Sequence, residues 1–598
     1  MMSIFKKNKI FVLAAIALWL IASSDGKAGE CGFNLKKISP SSAHPLIERL
    51  RDERFGHSRL RVIIETNKPG DIFGRIESIV PGNIFYFNNF CTTDVSVETI
   101  YRLVQLPIIK NIYIMGLASP KDTPCNVSNV IVGIIDRGID WKSECFTDKT
   151  TGKSRILYYW DQTAWQSSGF FSGIPYGVEY TGNQLEQCKT TSDNSIPYDL
   201  GHGWLIAAVA AGNPQIKDIH GNQLLKVITI DSPVIPVNIS ARESSIFDAI
   251  AYITGKARQL NAKCVINLSY SKHFGPHTKD HLFTRAIDSL LDESSLLIVA
   301  AGNDGKKNIY AEKEFKRKTD MEFKTVKEIP FIDNHPEMFN VEIELWVDKE
   351  YEVEITLTSP TGNIYGPVPD GKYESYLKEG NIFIANAVSN EVGNQKGLFI
   401  SLKAYKNQLP PDGIWNIGLK HSMNHSGGVV RTWITKSGIC ESNFKIQENE
   451  KYLKSVSALA FGKNIISVGS FEIVNNNELK EAPYSNFVQR KRDCNGTKPD
   501  MLTFGKVSLM VPEHHYPFIQ DGTSVSCALI TRLITCIWEN KPGLKAQTLK
   551  KALQGKAMNL TEYEYRWVGM PQFHLEKAEP IISSLTNKIK EEENKNEI

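Results

Sequence analysis

Three short segments hold residues that can do chemistry together: Ile134-Ile135-Asp136-Arg137-Gly138, Gly201-His202-Gly203 and Gly522-Thr523-Ser524-Val525-Ser526. Each places a polar side chain in a glycine-marked turn beside an apolar run, and such turns lift a side chain off a buried sheet. A hydroxyl, an imidazole and a carboxylate are the parts of an activated nucleophile. Serine attacks, histidine takes its proton, and aspartate orients the histidine and stabilises its cation. A fourth segment, Val299-Ala300-Ala301-Gly302-Asn303-Asp304-Gly305, sets Asn303 just after an apolar run. Its amide can donate to a developing oxyanion. Each residue also has a plainer reading: Asp136 and Asn303 as turn formers, Ser524 as a helix N-cap. A histidine between two glycines at a helix start is harder to read as core filler, because a buried ring needs polar partners.

The elements that must position these residues are legible. Val130–Ile135 is a continuous apolar run, as expected of a strand buried on both faces. Asp136 follows at its carboxyl end, where open α/β sheets place ligand-binding and catalytic groups. His202 precedes the Ala-rich stretch Leu205–Gly212, a buried helix ended by Gly212 and Asn213. Ser524 opens the apolar helix Cys527–Trp538. Its N-terminus offers free N–H groups and a partial positive charge, suited to an oxyanion. Further apolar runs are Leu224–Ile230, Val265–Leu268 and Leu296–Ala300, with amphipathic helices predicted over Ile246–Leu260 and Leu282–Leu291. Strand–helix alternation over residues 125–305 predicts an α/β fold, a parallel sheet covered by helices.

Helix signals vanish between Glu322 and Lys436. Val341–Val347 and Tyr351–Leu357 alternate apolar and polar residues, and more strands are expected at Ile382–Ala387, Leu398–Ala404, Ile414–Leu419 and Val429–Ile434. Such a run of short strands reads as an all-β sandwich or jelly roll over residues 320–438. Because helix and buried-strand patterns return after Tyr452, it is an insertion dividing the α/β domain into 119–310 and 445–582. Upstream, Leu60–Glu65, Asn83–Phe87 and Ile108–Ile114 read as strands and Ser96–Leu106 as a helix with Ser96 as N-cap. Residues 29–118 thus form a small α+β module whose place before the first catalytic segment suggests a propeptide. Residues 583–598 are rich in Lys, Glu and Asn and read as a disordered tail.

The 598 residues are enough for about four domain-sized units. With 41% apolar and 23% charged residues the chain is globular rather than disordered. A net charge of +3 offers no basic field for nucleic acid. At the N-terminus, Lys6, Lys7 and Lys9 precede the apolar run Ile10–Ala22 and the small residues Ser23 and Ser24. That pattern is a secretory signal peptide over residues 1–24. The run is shorter than the roughly 20 residues of a comfortable membrane span, the alternative being an uncleaved anchor. Glu30 before Cys31 argues against a lipoprotein. A secreted or periplasmic protein with no stable membrane span after signal removal is expected. All ten cysteines follow the signal, so disulfides are permitted but their connectivity is open. Cys264, Cys527 and Cys536 lie in elements expected to be buried and read as free thiols. No CxxC pair and no spaced acidic loop of the EF-hand kind occurs, so neither a metal nor a cofactor is expected.

Jointly these segments resemble the subtilisin-like serine protease (subtilase) family, whose triad runs Asp, His, Ser along the chain. Asp136-Arg137-Gly138-Ile139-Asp140 resembles the aspartate motif, Gly201-His202-Gly203 the histidine motif, Ala301-Gly302-Asn303 the oxyanion segment and Gly522-Thr523-Ser524 the serine motif. Lys498-Pro499-Asp500 resembles the Lys-Pro-Asp upstream of the serine. The likeness covers residues 58–580. Ser154–Thr163, Phe274-Gly275-Pro276-His277 and the sandwich inserted after Asn303 are similar to the clostridial germination protease (Csp-like) branch, which carries a prodomain and an inserted jelly roll.

The resemblance implies that Ser524 is the nucleophile, His202 the base and Asp136 its orienter, with Asn303 and the Ser524 N–H holding the oxyanion. It implies a zymogen acting on a protein or peptide substrate, with residues 29–118 as an intramolecular inhibitor removed by autoprocessing. Arg137 stands where a small residue is usual, Trp204 where Thr is usual, Ala528 where Pro is usual, and Tyr270-Ser271 where Leu-Gly is usual. No catalytic group is lost. The alternative is a catalytically silent scaffold or regulator that binds a protein partner.

Overall fold

The computed structural model describes parts of residues 33–114 and, with interruptions, residues 130–557. The signal segment, the run Leu224–Ile230, much of the Ser96–Leu106 helix and the tail lie outside the described residues. Among the described residues, no helix is long and apolar enough to cross a membrane. The chain divides into two compact units, one formed by Ala118–Ser271, Ile287–Lys306 and Leu459–Ile598.

That unit is built on a nine-stranded sheet. Its strands are β1 (Val130–Asp136), β2 (Tyr158–Asp161), β3 (Val178–Thr181), β4 (Val234–Asn238), β5 (Lys263–Leu268), β6 (Ser295–Ala300), β7 (Ile465–Val474), β8 (Glu478–Glu481) and β9 (Met501–Phe504). They lie in the order β8-β7-β6-β5-β1-β4-β2-β3, with β9 also beside β7. The inner pairs are parallel. β3 and β8 are antiparallel additions. The principal helices are α1 (His202–Ala210), α2 (Glu243–Gln259) and α3 (Thr523–Asn540). The strand neighbouring β1 on one side is Val234–Asn238, which follows the run Leu224–Ile230 singled out in the sequence.

Strand parity decides which side chains face the helices. β1 is buried along its whole length. Val132 and Ile134 pack with Trp204, Ala207 and Ala208 of α1 and with Val525 and Ala528 of α3. Side chains two apart share a face, so Asp136 is delivered to the same side as α1 and α3. In β5, Val265 packs with Cys527 and Ile530 of α3. Asn267, two residues on, donates to the Thr531 hydroxyl at 3.1 Å. Ser269 continues that parity toward the start of α3.

Helix α3 is buried from Thr523 to Thr535 on every face, as a helix apolar all round must be. Two of its threonines are satisfied within the helix: Thr531 Oγ1 donates to the Cys527 carbonyl at 2.9 Å and Thr535 Oγ1 to the Thr531 carbonyl at 2.8 Å. Ala528 leaves the helix unbroken. The buried Arg532 guanidinium binds the carbonyl end of α1, donating to Val209 at 2.6 Å, to Ala208 at 3.0 Å and to Gly212. Arg155 donates to the Ala211 carbonyl at 2.6 Å. Two cations thus bind carbonyls at the end of α1 and complement the negative end of the helix dipole. Burial, reinforced by the Arg155 charge, pulls the Arg532 pKa down to about 9.

Asp500, in the Lys-Pro-Asp segment, has a structural task. Its Oδ2 accepts the Ser467 N–H at 2.9 Å and hydroxyl at 2.8 Å, fastening β9's approach to β7. Cys264 and Cys527 are buried thiols, each pushed up to about 12 by desolvation. Cys536 is also a free thiol, but it is half-buried rather than enclosed.

The second unit contains two antiparallel sheets of six and five strands. Central to the first are Asn340–Asp348, Gln395–Lys403 and Gly428–Ser437; central to the second are Lys318–Lys327 and Gly413–His421. Their inward residues share one core, including Phe323, Ile343, Leu345, Leu357, Ile400 and Trp415. This is the all-β insertion, and its strands run from Tyr310 to Phe444, beyond 320–438 at both ends. Residues before 115 contribute a separate five-stranded antiparallel sheet. Ser96, expected to cap a helix, is the last residue of the strand Phe90–Ser96, paired with Arg59. Polar Thr92, Thr93 and Asp94 hid that strand, although Cys91 and Val95 are buried.

Candidate active site

Asp136 is the last residue of β1 and is 7% exposed. Its carboxylate accepts the His202 Nδ1 hydrogen bond at 2.8 Å to Oδ1 and 3.0 Å to Oδ2. A carboxylate only accepts, so the proton is on Nδ1 and Nε2 is left as the basic nitrogen. The Arg137 N–H donates to Oδ1 at 2.7 Å. Arg137 thus serves the site through its main chain, while its side chain is exposed.

His202 begins α1. The Gly203 N–H donates to the Arg137 carbonyl at 2.6 Å. A Cβ on Gly203 would stand 2.6 Å from that oxygen and 2.7 Å from the Gly138 oxygen. The second glycine of Gly-His-Gly is therefore demanded by the contact that brings His202 onto Asp136. Trp204, the unusual residue after it, is fully buried and packs edge-on against Phe518, 5.0 Å between centroids. Burial by itself would lower the His202 pKa. The Asp136 hydrogen bond and charge outweigh it, and the imidazole is held above its ordinary 6.5.

The turn after Asp136 has support that sequence reading missed. Asn238 ends β4 in register with Asp136. Its Oδ1 accepts the Gly138 N–H at 3.2 Å, and its Nδ2 donates to Asp161 Oδ1 at 2.9 Å. A polar residue closing the apolar run Val234–Val237 was the available signal.

Ser524 lies in the first turn of α3, where N–H groups have no intrahelical acceptor. It is 7% exposed. Among the described residues its hydroxyl donates to the Ser269 carbonyl, at 3.4 Å, rather than to His202. Ser269 Oγ in turn donates to the Ser524 carbonyl at 3.1 Å. The helix start is set by Gly522, whose φ of +119° suits glycine and whose Cβ, if present, would lie 3.0 Å from Asn303 Nδ2.

Asn303 follows β6 and is exposed. Its Oδ1 accepts from the Thr523 N–H and hydroxyl, and the Thr523 hydroxyl accepts the Gly302 N–H at 3.2 Å. Ser271, in place of the usual glycine, comes close to the same loop: its Oγ is 3.1 Å from where a Gly302 Cβ would be. The structure therefore joins Asp136 to His202 directly, and joins the Asn303 loop to the Ser524 turn through Thr523. Among the described residues, no group of three or more His, Cys, Asp or Glu is placed to hold a metal ion.

Residues 127–325 match the family model for the subtilase family, peptidase S8. The solved structure of the CspB protease of Clostridium perfringens is similar in fold: 20% identity over 76% of this chain and 95% of that one, with a TM-score of 0.61. Weaker likenesses are to the epidermin leader peptide processing serine protease (EpiP) of Staphylococcus aureus, at 11% identity, covering 87% of this chain and 97% of that one, TM-score 0.39. Sphericase matches at 13% identity, covering 73% and 87%, TM-score 0.33. No curated protein sequence matches the chain significantly. Family match and fold agree: residues 127–325 match the subtilase family, and the chain shares the fold of a subtilisin-like serine protease.

Proposed function

We propose that the chain is a secreted serine endopeptidase made as a zymogen, cleaving peptide bonds through Asp136, His202 and Ser524. Ser524 Oγ attacks the scissile carbonyl carbon and its proton passes to His202 Nε2. The C–O bond to serine forms as the carbonyl π electrons move to oxygen. That oxygen is held by Asn303 Nδ2 and the Ser524 N–H at the helix start. The tetrahedral species collapses, the C–N bond breaks, and His202 returns the proton to the departing amine. Water then attacks the acyl-enzyme by the same route, releasing the acid. Asp136 keeps His202 in the tautomer that exposes Nε2 and stabilises its cation. The five-stranded module within residues 29–118 acts as prodomain and inhibitor until cut.

The observation that carries this reading is the Asp136–His202 contact at 2.8 and 3.0 Å, made at the carboxyl end of β1, the strand whose Val132 and Ile134 share a core with Val525 and Ala528 of α3. The Ser524 hydroxyl's bond to the Ser269 carbonyl favours a second reading, a catalytically silent scaffold. Rotation about the Ser524 side chain toward His202 separates the two, since resting-state catalytic bonds are often unformed.

The test expresses the full chain as wild type and Ser524→Ala and follows intact mass. On the proposal, wild type loses the residues before about 118 and takes up a serine-directed fluorophosphonate, and Ser524→Ala does neither. A wild type that stays unlabelled, even after its N-terminal module is trimmed by an added protease, moves the reading to the scaffold.

A further inference from the structure

The loop carrying Asn303 and the turn before Ser524 are held by one short segment, 482–486. The Gly305 N–H donates to the Tyr484 carbonyl at 2.9 Å, and the Asn486 N–H donates to the Gly302 carbonyl at 3.0 Å. Asn303 is thus bracketed on both sides. The Tyr484 side chain turns the other way. Its hydroxyl donates to the Gly505 carbonyl at 2.9 Å and accepts the Gly522 N–H at 3.3 Å. That N–H is shared with the Gly505 carbonyl, at 2.8 Å. The segment itself is fixed to β7: the Ala482 N–H donates to the Ser470 carbonyl at 3.1 Å, and the Ser470 N–H to Ser485 Oγ at 2.9 Å. The fit around the phenol is close, since a Cβ on Gly505 would stand 2.3 Å from the Tyr484 oxygen. Burial, the largest influence on this phenol, holds its pKa above 10, so it remains a donor through the neutral range.

We propose that Tyr484 is a positioning residue for the oxyanion pocket: its main chain fixes the Asn303 loop, and its hydroxyl fixes the Gly522 turn that opens α3. The separation of the two donors, Asn303 Nδ2 and the Ser524 N–H, is then set through a single residue. This inference rests on the roles assigned above to Asn303 and Ser524. It adds to the three hydrogen bonds that join Thr523 to the same loop, and it is the connection that a single-atom change can remove. Tyr484→Phe keeps the ring and every main-chain bond and loses only the hydroxyl.

The test uses the full chain, in the preparation where wild type reacts with a fluorophosphonate, as wild type, Tyr484→Phe, Asn303→Ala and the double variant. In that reaction Ser524 Oγ bonds to phosphorus, fluoride leaves, the hydroxyl proton passes to His202, and the P=O oxygen takes the oxyanion position. The limiting labelling rate and the half-saturating concentration are read separately, with the pH profile. Tyr484→Phe is expected to lower the limiting rate about tenfold, the worth of one well-placed hydrogen bond. Half-saturation and the pH midpoint stay unchanged. In the Asn303→Ala background the same change is expected to cost less than about twofold, because the donor it positions is gone.

A Tyr484→Phe rate within about twofold of wild type overturns the inference. So does an equal loss in both backgrounds, which marks a general effect on the fold, or a change in half-saturation alone. If Asn303→Ala itself labels at the wild-type rate, the oxyanion assignment fails, whatever Tyr484 does.

Discussion

Asn303 Oδ1 accepts two hydrogen bonds from Thr523, one from its N–H and one from its hydroxyl, each 2.9 Å long. A backbone N–H can only donate, so the atom receiving it must be the amide oxygen, and the orientation of the carboxamide is settled. Nδ2 is turned the other way, toward Gly522, and is the atom that donates to substrate on the proposed function. Replacing Asn303 by alanine is expected to lower kcat about 10²–10³-fold with little change in KM, as for comparable donors. Thr523→Val removes the hydroxyl's bond to Asn303 and its acceptance of the Gly302 N–H, leaving only the main-chain bond, and is expected to cost about tenfold, measured on the same peptide substrate.

Acid inactivation should reveal the Asp136–His202 pair. His202 must be neutral to accept the serine proton, and its pKa is raised above 6.5, so kcat/KM should climb with pH through a midpoint above 6.5. Asp136→Asn removes the raising influences and leaves burial, so the midpoint moves down while kcat falls about 10⁴-fold through the wrong tautomer. In stability the sign is opposite: the raised histidine pKa contributes fully below 6.5, and the contribution is lost as pH rises through the folded-state value. pH-rate profiles of both proteins measure the first effect.

Gly522→Ala combines two faults. At φ +119° an alanine backbone is strained, by about 1–3 kcal/mol. Its Cβ would also stand 3.0 Å from Asn303 Nδ2. The expected outcome is a kcat loss of about tenfold or more with a small fall in melting temperature, read by kinetics and calorimetry together.

Arg532 tests the link between the helices that carry the serine and the histidine. Arg532→Met leaves the buried carbonyls of Ala208, Val209 and Gly212 without that donor. The loss should be about 1–3 kcal/mol, seen as a lower urea midpoint at unchanged m-value. A change below about 1 kcal/mol would show that these carbonyls find other donors.

How much of this was legible in the sequence follows from where each signal originates. β1, β5 and β6 are buried on both faces, so their apolar runs announce them, and the Gly-marked turns that follow announce Asp136 and Asn303. What escaped was set by partners distant in sequence. Asn238 matters because β4 lies beside β1, a register that no local pattern encodes. Tyr484 reads as an ordinary aromatic until its hydroxyl is placed on Gly505 and Gly522. Arg137 stands where a small residue is usual, yet it contributes its N–H and carbonyl and turns its side chain to solvent. The strand Phe90–Ser96 was missed because its polar centre masks the alternation of Cys91 and Val95.

The central claim is that Ser524 is a nucleophile activated by His202, and peptide mapping of the fluorophosphonate adduct tests it most directly. Wild type, Ser524→Ala and His202→Ala are labelled as full chains and digested, and the modified residue is located by tandem mass spectrometry. The account predicts a single adduct on Ser524, absent from Ser524→Ala and slowed about 10³-fold or more in His202→Ala. An adduct on another serine, or labelling of His202→Ala at the wild-type rate, would contradict it.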